Sequence, residues 1–397
     1  MTRQAEALIA RGLPVPDAAS LAHSERVAAH LRALVTEAGG SLSFAEFMQH
    51  ALYAPGLGYY AAGATKLGPA GDFVTAPEIS PLFGRVLAGQ AARVLAGLPE
   101  PQVLELGAGS GALAVHVLGA LAERGLAARY SILEVSADLR DRQQALLRRE
   151  RPQDLARVQW LGALPRRFTG VVLANEVADA LPVERFRKAT HGVRQCRVKA
   201  EGDGFGWCEG PAPGFLADAV GRIEAELGAQ LPAGYVSEVA TALPAWIGEL
   251  AGCLARGFVF LFDYGVSRRE YYAPDRSGGW LRCHFRHRAH ADPLILPGVQ
   301  DITAWVDFSA VAEAAAAAGL DIAGYVTQAH FLLHGGLARE LGDFSGMPTA
   351  ARSELARQVK MLTLPGEMGE HFKCIGLTRG DVATPEAFTA ADRAHAL

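Results

Sequence analysis

The stretch that decides the fold is "VLELGAGSGA" at residues 103–112. It reads as a short apolar strand entering a turn with glycines at alternating positions, which is how a βα unit approaches a nucleotide. Gly107, Gly109 and Ala112 match the G-x-G-x-x-G/A pattern of dinucleotide-binding folds. Gly107, Gly109 and Gly111 equally match the G-x-G-x-G loop of methyltransferases that use S-adenosyl-L-methionine (SAM). By itself, the stretch leaves both cofactors open.

Beyond this stretch, apolar runs alternate with amphipathic segments. "RYSILEV" at 129–135 reads as a strand, residues 136–150 as a helix with Ser136 as its N-cap, and "GVVLAN" at 170–175 as another buried strand. Such alternation predicts a parallel sheet covered by helices. We therefore predict an α/β fold with a Rossmann-like sheet of seven strands, the last returning antiparallel.

Other regions flank or interrupt this pattern. We expect an N-terminal helical cap at 1–101 and a nucleotide-binding domain at 102–380, followed by a C-terminal tail at 381–397. Insertions at about 185–235 and 265–303 break the rhythm of the domain. The cap and the insertions are expected to cover the ligand edge and form a substrate cleft.

Composition excludes several classes of protein. The 397 residues carry a formal net charge of −4, so neither nucleic acid nor a membrane surface is an expected partner. No apolar run reaches the roughly 18 residues of a transmembrane helix. The five cysteines form no C-x-x-C pair and suit a reducing compartment. The N-terminus reads poorly as a secretory signal or transit peptide, so we expect a bacterial cytoplasmic location ahead of the mitochondrial matrix.

Acidic residues at strand ends extend the nucleotide site. Glu134 ends the second strand, where an acid accepts hydrogen bonds from the ribose hydroxyls of either cofactor. Three features favour SAM: Glu105 inside the first strand, the acidic segment that follows the strand at 170–175, and the antiparallel last strand.

That acidic segment contains Asn175, Glu176 and Asp179. Asp263 ends the next predicted strand of the sheet, at the same sheet edge. Two carboxylates there suit a cationic substrate or a sulfonium. The simpler alternatives are that Asp179 caps a helix and that Glu176 is solvated. Glu78 or Ser80 likewise serves as a helix cap in the simpler interpretation.

Three histidines lie three residues apart, His284, His287 and His290, and could share a helical face. The interleaved arginines disfavour a metal, so a basic loop that binds protein or closes the site is the preferred interpretation.

Together these pieces resemble the MidA-type SAM-dependent methyltransferases, a family that includes a mitochondrial complex I assembly factor with arginine methyltransferase activity. The most specific motifs are "GDFVTAPEIS" at 71–80 and "QDIT" at 300–303; further matches are "NEVADALPV" at 175–183 and "FDYG" at 262–265. The resemblance implies that Gly107, Gly109 and Glu134 bind SAM, and that Asn175 and Glu176 lie at the methyl-transfer edge.

The complete assignment has three groups of residues and no metal. The cofactor-binding group is Glu105, Gly107, Ala108, Gly109, Gly111, Glu134, Val135, Leu161 and Asn175. The catalytic group is Glu176, Asp179 and Glu78. The substrate-binding group is Asp263, Gln300 and Asp301.

The resemblance makes an arginine of a partner protein, such as a respiratory complex I subunit, the expected methyl acceptor. A small-molecule methyltransferase, an NAD-dependent oxidoreductase and a non-catalytic SAM-binding assembly factor remain alternatives. Exposed hairpin edges near 194–208 would allow a homodimer.

Overall fold

A computed structural model of the chain describes residues 12–62, 74–344 and 346–397. The start of the expected N-terminal helix, at 1–11, and the first three residues of "GDFVTAPEIS" lie outside the described residues.

The chain divides into two compact units, each formed from three segments. The first unit contains Met1–Phe73, Ala180–Ala242 and Arg268–Trp305. The second unit contains Val74–Asp179, Leu243–Ser267 and Val306–Leu397.

Strands and helices are numbered in chain order over the described residues. The strands are β1 Leu42–Ser43, β2 Gln102–Leu106, β3 Arg129–Leu133, β4 Val158–Leu161, β5 Phe168–Asn175, β6 Glu184–Lys188, β7 Val193–Glu201, β8 Gly204–Pro211, β9 Val236–Val239, β10 Leu254–Val266, β11 Leu281–Phe285, β12 Arg288–His290, β13 Asp301–Ala304, β14 Val306–Asp307, β15 Asp321–Thr327 and β16 Phe372–Arg379. The α-helices are α1 Ala18–Glu37, α2 Phe44–Tyr53, α3 Ala76–Ile79, α4 Pro81–Leu95, α5 Ala112–Glu123, α6 Ala137–Glu150, α7 Gly214–Leu227, α8 Leu243–Cys253, α9 Arg268–Tyr271, α10 Phe308–Ala317, α11 Gln328–Gly335, α12 Leu337–Leu341, α13 Thr349–Thr363 and α14 Met368–His371.

The second unit is built on a mixed sheet in the order β15-β16-β10-β5-β2-β3-β4. Neighbours from β10 to β4 are parallel. Strand β16 runs antiparallel to both β10 and β15, as the sequence predicts for the return. This sheet has eight strands and not the predicted seven, because the two-residue β14 pairs with β10 beside the main path.

Helices cover this sheet and close its core. Phe83 of α4 and Val117 of α5 belong to one buried cluster with Val103, Phe260 and Phe262 of the strands. The ring of Phe83 meets that of Phe262 edge-on, with 5.1 Å between centroids. Burial of such aromatic and branched side chains is the main stabilising contribution to the unit.

Local capping signals explain where several helices begin. The Ser136 hydroxyl accepts a hydrogen bond from the Leu139 N–H, which confirms it as the N-cap of α6. Ser43 and Glu46 form a capping box at the start of α2. Each side chain satisfies a backbone N–H that the first helical turn leaves without a partner.

The first unit contains two antiparallel sheets. One has the order β1-β7-β6-β9, with β8 pairing β7, and the other the order β12-β11-β13. The hairpin expected near 194–208 is present, because β7 ends at Glu201 and the antiparallel β8 begins at Gly204.

The two strands of this hairpin differ in whether they have a free edge. Val198 of β7 pairs with Leu42 on one side and with Trp207 on the other. Strand β7 is therefore internal here and offers no free edge to a second chain, whereas β8 is at the edge of this sheet among the described residues.

The unit boundaries also differ from those that the sequence predicts. Helices α3 and α4 belong to the second unit, because Ile79 and Phe83 pack into the core of its sheet. Phe388, in the expected C-terminal tail, is buried in the same cluster. The stretch 265–303, expected to be an insertion, contains β11, β12 and most of β13.

Candidate active site

The candidate site lies at a reversal in the strand order of the second unit. The chain moves outward from β2 through β3 to β4, and β5 then pairs with the other side of β2. Ligands of open α/β sheets bind outside the carboxyl ends of the strands at such a switch point. Residues 107–111, which follow β2, form the glycine loop. Residues 176–179, which follow β5, form the acidic loop.

The glycine loop turns through conformations that side chains rarely adopt. Gly107 has φ +62° and Gly111 has φ +86°. A Cβ added to Gly107 would lie 3.3 Å from Val177 Cγ2 of the acidic loop. These glycines therefore permit both the turn and the close approach of the two loops.

Helix α5 begins directly after this loop. Its N-cap, Gly111, provides no side-chain hydrogen bond. The first N–H groups of a helix have no partner within the helix, so this end suits an anionic group such as the carboxylate of SAM.

Glu134 is held in place at the end of β3. Its carboxylate accepts hydrogen bonds from the Ser136 N–H at 2.9 Å and from Gln143 Nε2 at 3.0 Å. Burial raises the pKa of Glu134 above its ordinary value, and these two donors counteract that effect. The backbone N–H of Glu134 donates to the carbonyl of Leu161, so Leu161 takes part through its main chain.

Val135 follows Glu134 and is 75% exposed, unusual for a large apolar side chain. An exposed apolar surface beside a ribose-binding acid suits the flat face of an adenine base. Ala108, in contrast, is buried against the core of the sheet.

Glu105 lies inside β2 and is buried. Its carboxylate accepts a hydrogen bond of 2.6 Å from the Tyr130 hydroxyl on β3. Burial raises the pKa of Glu105 to about 7, and the nearby Glu134 adds to the rise. The sequence predicts this acid but not its partner.

The acidic loop begins with a strained residue. Glu176 has φ +54°, in the left-handed region that disfavours a residue with a side chain. Its N–H donates to the Phe262 carbonyl at 2.8 Å, and Asn175 Nδ2 donates to Glu176 Oε1 at 3.0 Å. Strain of this kind occurs often at functional sites.

Carboxylates are crowded around this residue. Burial, followed by repulsion from Asp179, raises the pKa of Glu176 to about 8. Glu78 adds a smaller repulsion, and a hydrogen bond from the Ala76 backbone opposes the rise. Asn175 Oδ1 is buried without a hydrogen-bond partner among the described residues.

Asp263 supports the acidic loop through its carboxylate. It is fully buried, and its Oδ2 accepts hydrogen bonds from the N–H groups of Ala178 and Asp179 at 2.9 and 3.1 Å. Its Oδ1 accepts a third from the Tyr264 N–H at 3.0 Å. Asp263 therefore fixes the acidic loop in position.

The sequence allows two roles for Glu78, a helix cap and a catalytic carboxylate, and its position is compatible with both. Its carboxylate accepts a hydrogen bond from the Thr75 N–H at 3.1 Å in a capping box at the start of α3. Ser80 separately caps α4. Glu78 nevertheless lies close enough to Glu176 to raise the pKa of that carboxyl.

Gln300 and Asp301 belong to the first unit. Gln300 is fully buried, and its Nε2 donates to the carbonyls of Asp292, Pro293 and Ile295. Asp301 is also buried and accepts a hydrogen bond of 2.8 Å from the Tyr60 hydroxyl. Gln300 Oε1 is buried without a hydrogen-bond partner among the described residues, and the assignment of Gln300 and Asp301 to substrate binding stays a prediction.

No group of three or more His, Cys, Asp and Glu in the described parts of the chain is arranged to hold a metal ion. None of the described helices is both long and apolar enough to cross a bilayer.

The residues present at the switch point fit SAM. The glycine loop turns at residues where a Cβ would crowd its neighbours, Glu134 can accept from ribose hydroxyls, and the buried Asn175 oxygen has no hydrogen-bond partner in the described residues. The acidic loop adds negative charge suited to a sulfonium. Fold and site together define a SAM-dependent methyltransferase.

Comparison with known proteins agrees with this class. Residues 86–326 match the family described as "Putative S-adenosyl-L-methionine-dependent methyltransferase", and the chain belongs to this family. SAM is therefore its cofactor, and the NAD alternative is set aside.

Two relatives and one solved structure are similar over most of their length. The chain is 30% identical over 398 residues to a protein of Mus musculus named "Protein arginine methyltransferase NDUFAF7, mitochondrial", with 90% of this chain and 86% of that protein covered. The protein of the same name from Danio rerio is 29% identical over 378 residues, covering 85% and 83%. A crystal structure of a Burkholderia thailandensis protein bound to S-adenosyl-homocysteine shares 42% identity at a TM-score of 0.91, covering 97% of this chain and all of that one.

Proposed function

We propose that this chain is a protein arginine N-methyltransferase that acts on a partner protein, such as a subunit of respiratory complex I. The observation that carries the proposal is the buried acidic loop. Repulsion from Asp179 raises the pKa of Glu176, and repulsion from Asp179 and Glu176 raises the pKa of Asp263. An arginine side chain is always protonated and complements such a cluster. The names of the mouse and zebrafish relatives support the same acceptor.

The loop also suits the chemistry of a guanidinium acceptor. SAM supplies an electrophilic methyl group on a positively charged sulfur. Glu176 would accept hydrogen bonds from the guanidinium, concentrate electron density on the attacking nitrogen, and take up the proton that this nitrogen loses. Asn175 would orient the reacting groups through its amide oxygen. Fixed orientation of two reactants lowers such barriers by up to about 7–11 kcal/mol.

The raised pKa of Glu176 has a consequence for acceptor binding. In the free protein near neutral pH, this carboxyl retains a proton most of the time, because its pKa is about 8. A guanidinium placed beside it favours the ionised form. Binding of an arginine at this loop is therefore expected to release protons.

The test is transfer from SAM carrying an isotopically labelled methyl group into a protein extract, followed by acid hydrolysis and amino-acid analysis. The proposal predicts label in protein and, after hydrolysis, in methylarginine. Label confined to small molecules, or found in another amino acid, would refute the arginine assignment. The absence of any transfer would favour a non-catalytic assembly factor.

A further inference from the structure

Gln143 lies on α6, and its side chain is fully buried. Its Nε2 donates to the Gly109 carbonyl at 3.0 Å and to Glu134 Oε2 at 3.0 Å. Its Oε1 accepts a hydrogen bond from Trp160 Nε1 at 2.9 Å. One amide thus joins the glycine loop, the strand-end acid and the outermost strand β4.

The orientation of this amide follows from the chemistry of its neighbours. An indole N–H only donates, so the amide oxygen must face Trp160. The two N–H groups then face two acceptors, the Gly109 carbonyl and the Glu134 carboxylate. A flipped amide would oppose donor to donor at Trp160 and oxygen to oxygen at the other two partners.

Gln143 also packs against the loop itself. A Cβ added to Gly111 would lie 3.3 Å from Gln143 Cγ and 3.4 Å from its Cα. The glutamine therefore supports the loop at Gly109 by a hydrogen bond and lies so near Gly111 that a side chain there would crowd it.

We propose that Gln143 is a positioning residue of the SAM site, which holds the Gly109 carbonyl and the Glu134 carboxylate in a single arrangement that recognises the cofactor. This inference rests on the assigned role of Glu134 in binding the ribose. It does not depend on which acceptor is methylated.

The groups around Glu134 set the pKa of its carboxyl, so the role of Gln143 can be measured through the pH dependence of cofactor binding. Burial favours the protonated form of Glu134, and hydrogen bonds from Gln143 and from the Ser136 and Val135 backbones favour the carboxylate. Arg140, whose Nη2 donates to the Glu134 carbonyl at 2.7 Å, also favours the carboxylate, whereas Glu105 repels it. Without the amide donor, Glu134 retains its proton to a higher pH and accepts fewer hydrogen bonds from a ribose.

The experiment measures the calorimetric Kd of S-adenosyl-homocysteine between about pH 5.5 and 8.5 for the wild type and Gln143→Leu. Loss of a hydrogen bond to a charged group predicts a Kd raised roughly 10- to 100-fold near neutral pH. The Kd of the variant should rise further as pH falls, at pH values where the wild-type Kd is still constant. Trp160→Phe keeps the ring but removes the donor that fixes the amide, so it should cause a smaller loss in the same direction.

Gln159→Leu is the matched control. Gln159 precedes Trp160 on β4 and donates to Ser131 Oγ at 2.8 Å, away from the glycine loop. This variant should bind S-adenosyl-homocysteine as the wild type does. Thermal melting checks that each variant folds.

Two results would overturn the inference. An unchanged Kd in a folded Gln143→Leu protein would leave only a structural role, and an equal loss at every pH would remove the coupling to Glu134. Glu134→Ala separates this inference from its premise. If that variant binds as the wild type does, the ribose assignment itself fails.

Discussion

The two loops at the switch point are built in opposite ways. The glycine loop reaches its left-handed conformations at residues without side chains, and its supporting hydrogen bonds come from neutral groups such as Gln143. The acidic loop places a left-handed conformation on Glu176 and surrounds that residue with other carboxylates. The first loop is relaxed and ready for its ligand, whereas the second holds strain and charge repulsion that a bound cation would relieve. This difference suggests a division of roles between cofactor binding and acceptor activation.

The largest effect is expected in the glycine loop. Gly107→Val places a branched side chain at φ +62° and its Cβ 3.3 Å from Val177, so the loop must move. We expect loss of detectable S-adenosyl-homocysteine binding by calorimetry. Gly248→Val in α8 is the control, since a Cβ there meets nothing within 4 Å. Retained binding in a folded Gly107→Val protein would contradict the assignment of the loop.

Asp263→Asn tests how the acidic loop is held. An asparagine has one oxygen, so it cannot accept from all of the Ala178, Asp179 and Tyr264 N–H groups as the carboxylate does. We expect the free energy of unfolding to fall by about 1–3 kcal/mol, measured by denaturant titration at pH 7. Asp321→Asn, at an exposed position of β15, should change stability little. Equal or greater stability of Asp263→Asn would show that charge repulsion outweighs these hydrogen bonds.

A smaller effect from the same loop is expected in how the free energy of unfolding depends on pH. The pKa of Glu176 is about 8 in the folded protein against an ordinary value of 4.5, so the folded state binds this proton more tightly. Stability from this group is complete below about pH 4.5 and is lost as pH rises towards about 8. Asp263, whose pKa is also raised, adds a slope of the same sign.

Glu176→Gln should therefore flatten, but not abolish, the decline in unfolding free energy over this window. Denaturant titrations at several pH values measure the slope. Identical slopes in the wild type and the variant would mean that Glu176 is ionised in the folded protein throughout this pH window.

What sequence predicts here is mainly local. The turn at Gly107, the acid at Glu134 and the cap at Ser136 each depend on residues a few positions apart, and the structure contains all three. The side-chain partners could not be predicted in the same way. Asp263 bonds to Ala178, 85 positions away, and this pairing exists only because β10 lies beside β5.

Strand β11 was not predicted, although its sequence pattern is typical of a strand. Leu281, Cys283 and Phe285 alternate with polar residues and are buried, which is the pattern of strand β11. The interleaved arginines and histidines made the segment look like a basic loop. His284 and His290 lie on paired strands and do not share a helical face, as their spacing had suggested.

The division of roles between the loops is tested most directly by Glu176→Gln, measured in parallel for S-adenosyl-homocysteine binding and for transfer of labelled methyl groups to protein. Glu249→Gln, at an exposed position of α8, serves as the control. The account predicts that Glu176→Gln binds S-adenosyl-homocysteine as the wild type does but transfers methyl groups at a rate lowered by roughly tenfold or more. Transfer at the wild-type rate, or loss of binding together with transfer, would contradict it.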